Sequence, residues 1–199
     1  MENFNFDNNS FCPCYPECIT DIYSNFISNQ DTANCSYCNE GFKQICTKLP
    51  LQDFAIQDIS GSEPLKVDSI CFNQKNIDVL QTFIDNSDTT INNDLDKNKD
   101  GVIEPFEVGN QIWQNGNLIY FTANNTGLSG VIPDKINELD SLQVLLLNDN
   151  QLNGQIPITI CQIYPNLSQF NISSNNLCPP YPICDEIQIT TENQQGCSE

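Results

Sequence analysis

"LQVLLLNDNQLNGQIP", residues 142–157, decides how this chain folds. Its apolar positions 145 and 147 alternate with a residue between them, the period of a strand that buries one face. Asn150 stands where the chain must leave that strand, and a buried carboxamide there can satisfy backbone groups that the turn leaves unpaired. Pro157 has no N–H to continue a ladder, so it sends the chain into a return segment. The pattern recurs. "LIYFTANNTGLSGVIP" begins at Leu118 and "LSQFNISSNNLCPPYP" at Leu167, which sets periods of 24 and 25 residues. Asn175 repeats the turn amide, whereas Thr126 replaces it in the first copy, and a looser turn is expected there. Pro133 matches Pro157, and Ile136, Leu139, Ile160 and Ile163 on the returns are expected to pack against Leu145, Leu147, Phe170 and Ile172.

In this form, L-x-x-L-x-L-x-x-N-x-L-x-G-x-I-P, the segment resembles the plant-type subclass of leucine-rich repeats, over about a third of the chain. The resemblance implies an α/β repeat fold: a short leucine-rich-repeat solenoid with parallel strands. It also implies where such a protein binds, through the solvent side of its strands. That side carries Tyr120, Thr122 and Asn124, then Val144, Leu146, Asn148 and Asp149, then Gln169, Asn171 and Ser173. Tyr120, Val144 and Leu146 are expected to form an apolar strip within a polar rim, the composition of a contact site.

So few repeats bury their faces only if both ends are capped. At the C-terminus "LCPPYPIC" and Cys197 form a Pro-rich stretch with cysteine staples. "FCPCYPEC", residues 11–18, repeats it as C-P-x-Y-P-x-C near the start, and "NCSYCNEGFKQIC" extends this first copy into a module of six cysteines. Disulfide candidates are Cys12, Cys14, Cys18, Cys35, Cys38, Cys46, Cys71, Cys178, Cys184 and Cys197. The eleventh cysteine, Cys161, follows the apolar "IPITI" and is expected to be a free buried thiol. Zinc at Cys35-x-x-Cys38 is the competing reading, disfavoured because the chain has no His. Before the repeats, "NQKNIDVLQTFIDNS" places Ile77, Leu80, Phe83 and Ile84 on one helical face with Asn73 as N-cap, a helix suited to cover the open end of the stack. The expected layout is a Cys-rich disulfide module over 1–50, a linker over 51–70 with one short hairpin, and a capping helix and loop over 71–115. Repeats over 116–177 and a stapled cap over 178–199 complete it.

"DKNKDGVIEPFE", residues 96–107, lies between helix and repeats and satisfies D-x-[DN]-x-[DN]-G-x5-E. Alternate side chains of a tight loop can converge on a cation that takes about six to eight oxygens at about 2.3–2.6 Å. The loop resembles an EF-hand, which implies Ca2+ ligands from Asp96, Asn98, Asp100, the Val102 carbonyl, Glu104 through a water, and bidentate Glu107. Gly101 serves the sharp turn, and Pro105 suits the first turn of an exiting helix over "PFEVGNQIW". The chain departs from the sensor pattern, because it has one such loop and a single Met, at residue 1. The expected ion is therefore structural, bound at about 10⁻⁴–10⁻³ M. Helix, loop, "QIWQNG", repeats and C-P-P-Y-P-x-C together resemble repeat proteins of marine bacteria and large algal DNA viruses. That resemblance brings no catalytic residues.

Composition excludes several functions. Seven Lys with no Arg stand against 26 acidic residues, a net charge of −19, which repels phosphate backbones and anionic lipid. Without His, no Ser-His-Asp or Cys-His enzyme can be built. Paired acids could serve a glycosidase, but no cleft-forming domain is visible. No apolar run approaches the roughly 18 residues of a membrane helix, and the first residues show no signal peptide. The cysteine density points to an oxidising environment, extracellular or virion. Five Asn-x-Ser/Thr sequons, at Asn8, Asn34, Asn124, Asn166 and Asn171, are no more than an Asn-rich chain yields by chance. The expected function is a non-catalytic, calcium-stabilised module that recognises another protein. The alternative is a structural component of a virus capsid or surface layer, with fellow shell proteins as partners.

Overall fold

The computed structural model of the chain describes residues 41–44, 56–58, 71–87, 91–97 and 99–189. Cys12, Cys14, Cys18, Cys35, Cys38, Cys46, Cys197 and Asn98 lie outside them, as does the first C-P-x-Y-P-x-C motif. Strands β1 (Phe42–Gln44), β2 (Ile56–Asp58) and β3 (Cys71–Asn73) precede the helix α1 (Gln74–Asn86). Asn73 caps α1 as its sequence position predicts, Oδ1 accepting from Lys75 N at 3.1 Å. The buried helix face is Asn76, Ile77, Val79, Leu80 and Phe83, with Ile84 at its margin.

The repeats follow as β5 (Asn117–Thr122), β7 (Val144–Leu146) and β9 (Gln169–Asn171), parallel and in register. Phe121 pairs with Leu145 and Leu145 with Phe170, so the 24- and 25-residue periods of the sequence are the register of the sheet. Short strands on the far side form a second parallel sheet, in the order β10 (Asn176–Cys178), β8 (Gln151–Gln155), β6 (Ser129–Val131). Between the two sheets the return residues Ile136, Leu139, Ile160 and Ile163 are all buried, as are Leu145, Leu147 and Ile172. The architecture is mixed α/β, repeat-like, with parallel strands and a continuous core.

Buried asparagines close the turns. Asn150 Nδ2 donates to the carbonyls of Ala123 (2.6 Å) and Leu147 (3.0 Å), and its Oδ1 accepts from Thr126 N (3.0 Å) and Leu128 N (3.2 Å). Asn175 does the same one coil later, donating to Leu147 O and Ile172 O and accepting from Leu152 N. The first turn, where Thr126 stands, is not left open as expected. Thr126 Oγ1 donates to Ala123 O at 2.9 Å, and the longer amide of Asn150 reaches back across the coils to complete the turn.

The helix expected after the loop is a single 3-10 turn, Pro105–Glu107, followed by β4 (Asn110–Gln114) running antiparallel to β5. The reason is the two-residue turn Asn115–Gly116, both at positive φ (51° and 77°), the geometry that favours a tight hairpin. Strand β4 therefore covers the sheet edge, while α1 packs beside β6, with Asn86 Nδ2 donating to Val131 O at 3.0 Å. Pairing joins distant segments: β1 is antiparallel to β3, and β2 is parallel to β4, while the rest of 51–70, where a short hairpin is expected, lies outside the described residues.

Cys161 is not a free thiol. It is bonded to Cys184 of β11 (Ile183–Cys184), which pairs with β12 (Ile187–Gln188), at a Cα–Cα separation of 5.0 Å. Cys161 lies on the return segment of the second repeat, and after the third repeat the cap chain brings Cys184 beside it. Cys178 is disulfide-bonded as well. The Cys161–Cys184 bond spans 23 residues. Closing a loop of that length restricts the unfolded chain by about 3 kcal/mol. The double variant Cys161→Ser, Cys184→Ser is expected to lose about that much in urea titrations, and to show no further loss on adding reductant at this site.

Candidate functional site

Two outward rows run across the five-stranded sheet, whose order is β2-β4-β5-β7-β9. Ile112, Tyr120, Val144 and Gln169 are register partners in the first row, and Asn110, Thr122, Leu146 and Asn171 in the second. The opposite sides of the same strands are core: Gln111, Trp113, Phe121 and Leu145 are essentially inaccessible. Alternation thus aims the sequence-identified face outward, and it adds Ile112 and Asn110 from β4. Their contribution was hidden in the sequence while residues 105–113 read as helix.

The apolar strip is less accessible than expected. Val144 is 8% exposed and Thr122 also 8%, because neighbouring strands crowd the middle of the sheet. Tyr120, Leu146 and Asn171 are half-buried, whereas Asn124 and Gln169 are exposed and Asn148 is intermediate. The most exposed large apolar side chains lie off this face, at Val102, Val131, Ile158 and Ile183.

The described residues of the 96–107 loop are held by its own acidic side chains. Asp96 folds the chain over itself, Oδ1 accepting from Asp100 N (3.2 Å) and Oδ2 from Gly101 N (2.9 Å). Gly101 takes φ +89°, and Asp100 Oδ1 accepts from Val102 N at 3.0 Å. Glu107 is 1% exposed and turns back into the loop, accepting from Lys97 N (2.8 Å) and Glu104 N (3.0 Å). Its neighbour Phe106 stacks with Phe72 and Trp113 at centroid distances of 4.8 and 5.6 Å, so the loop is anchored to the hairpin. Gln111 completes that anchor: Nε2 donates to Pro105 O and Val108 O, and Oε1 accepts from Trp113 Nε1. Among the described residues no three acidic side chains are gathered closely enough to hold a metal ion, and Asn98 lies outside them.

No family model matches the chain. A stretch of 62 residues is 40% identical to the inactive LRR receptor-like serine/threonine-protein kinase BIR2 of Arabidopsis thaliana. The match covers 30% of this chain and 10% of that protein. The similarity supports a leucine-rich-repeat relation for that stretch. Among the described residues no helix is long and apolar enough to cross a membrane, and the Cys161–Cys184 bond is compatible with an oxidising, extracellular setting.

Proposed function

We propose that the chain is a non-catalytic leucine-rich-repeat solenoid that binds another protein across the open face of its five-stranded sheet. The observation that carries this reading is the pair of rows that continue in register from the capping hairpin through all three repeats. Rigidity matters to such a surface, because side chains held by a ladder lose little further entropy on binding. The amide-closed turns and the Cys161–Cys184 staple supply it.

The face is tested by capture from its source with wild type and three variants. A partner retained by wild type and by Ile158→Asp, but lost with Tyr120→Asp and Leu146→Asp, supports the reading. A partner indifferent to both face variants and lost with Ile158→Asp overturns it.

Calcium belongs to the same proposal. Asp96, Asn98, Asp100, the Val102 carbonyl, Glu104 and Glu107 would hold it, with Glu107 exchanging its backbone N–H donors for the ion. Bound there, the ion would offset an acidic loop and lock it to Phe106, Trp113 and thus β4. Calorimetric titration with Ca2+ is expected to show one site at about 10⁻⁴–10⁻³ M, lost in Glu107→Gln. At a calcium concentration of about 100 Kd the fold gains about 2.7 kcal/mol by mass action. A thermal midpoint that does not move in calcium would remove the ion and leave the binding face as proposed.

A further inference from the structure

Below the two rows, where the chain enters each strand, lies a groove of about 510 Å³. Repeat register builds it. Asn117, Ser141 and Asn166 occupy the same position in successive coils, immediately before Leu118, Leu142 and Leu167. Ile119 and Gln143 occupy the position after those leucines, and Gln114 and Asn115 extend the groove onto the hairpin. Equivalent positions on neighbouring strands stand about 4.8 Å apart, a spacing comparable to one sugar ring along an extended chain.

The lining selects a class of ligand. Its volume falls in the range of small-molecule sites, about 300–1,000 Å³, but Ile119 is its one apolar residue, so an apolar ligand has little to bury against. It holds no cation, and with a net charge of −19 the chain repels anions. The single carboxylate, Asp140, accepts from Ser141 Oγ at 3.1 Å. Main-chain groups of the floor are already used: Gln143 N donates to Ile119 O, and Gln143 O accepts from Ser168 N. A peptide therefore has no strand edge to extend here.

What remains are carboxamides. Asn117 Oδ1 accepts from Asn73 Nδ2 at 2.8 Å, but the side chains of Gln114, Asn115 and Gln143 make no hydrogen bond among the described residues. Each carboxamide offers donors and an acceptor in one plane, the complement of a hydroxyl that both donates and accepts. We propose that this groove binds a neutral saccharide chain, its hydroxyls held by Gln114, Asn115 and Gln143 and one ring face resting on Ile119. The site is distinct from the rows above it and does not depend on them.

The test uses the full, oxidised chain made without glycosylation, because Asn166 itself begins an Asn-x-Ser sequon. Saturation-transfer NMR and calorimetry are run with cellotetraose, chitotetraose and mannotetraose, and with tetragalacturonate as the anionic control. At least one neutral sugar is expected to bind with Kd on the order of 1 mM, as befits an open, polar site. The double variant Gln114→Ala, Gln143→Ala is expected to weaken it at least about tenfold, with circular dichroism unchanged. Leu146→Asp, on the face above, is expected to leave sugar binding as it is. No binding by any neutral sugar at about ten times that concentration overturns the proposal. So does binding that the double variant leaves intact, or equal binding of tetragalacturonate.

Discussion

Replacing Asn150 with alanine is expected to destabilise the fold by about 3–5 kcal/mol, more than any exposed asparagine of the same repeat. One side chain bonds five backbone groups of two adjacent coils: the carbonyls of Ala123, Leu147 and Asn148 and the N–H groups of Thr126 and Leu128. Asn150 is 8% exposed, so water enters poorly when the amide is removed. The carbonyls of Ala123 and Leu147 keep a second donor, Thr126 Oγ1 and Asn175 Nδ2, but the Thr126 and Leu128 N–H groups lose their acceptor. Each buried group left without a partner costs about 1–3 kcal/mol, and two of them bracket the stated range. Asn150→Asp separates the two halves of the side chain's work. It keeps an acceptor for Thr126 N and Leu128 N but sets a carboxylate against the carbonyls, so it is expected to be no milder. Asn153→Ala, exposed on β8, is the neutral control. In a domain of this size the loss corresponds to about 6–20 °C in Tm. Urea titration followed by the fluorescence of buried Trp113 is the companion measurement. A loss below about 1 kcal/mol would mean that the turns hold without the amide ladder.

That ladder was legible in the sequence because it is local and periodic. Leucine spacing fixed which side of each strand is buried, and Asn150 and Asn175 fell where the strands end. Asn73 as helix cap and the packing of Ile136, Leu139, Ile160 and Ile163 followed from the same short-range patterns. What escaped is what long-range contact decides. Thr126 looked inadequate because its helper, Asn150, stands 24 residues away. Cys161 looked like core because the cap that brings Cys184 to it carries no period. Residues 42–44 and 56–58 found partners in β3 and β4 that no local rule names. The saccharide groove shows the same division. Its positions are legible as equivalents before and after each strand leucine, but only the turn of β4 into β5 adds Gln114 and Asn115 to them.

The misread strand β4 rests on one residue, and Gly109→Ala is expected to cost about 3–5 kcal/mol for that reason. Gly109 holds φ +66°, and an added Cβ would overlap the carbonyl oxygen of Thr122, with Thr122 C at 2.9 Å and Ala123 Cα at 3.0 Å. Left-handed backbone alone costs a non-glycine residue about 1–3 kcal/mol. The collision adds to it because the obstacle is backbone that cannot step aside: Thr122 is paired with Asn110 on one side and with Leu146 on the other. Gly101→Ala is the comparison that separates the two costs. Gly101 is at φ +89° with nothing within 4 Å of the added atom, so it bears the conformational cost alone. Equal destabilisation of the two variants would show that strain explains both and that β4 does not depend on close approach. If Gly109→Ala is the worse by about 2 kcal/mol, the sequence at 109 is doing something a helix would never ask of it. It lets the chain leave the acidic loop pressed against β5, so that Ile112 can continue the row of Tyr120, Val144 and Gln169. Gly109, which falls inside the helix expected over 105–113, is then the condition for the face to extend onto the cap.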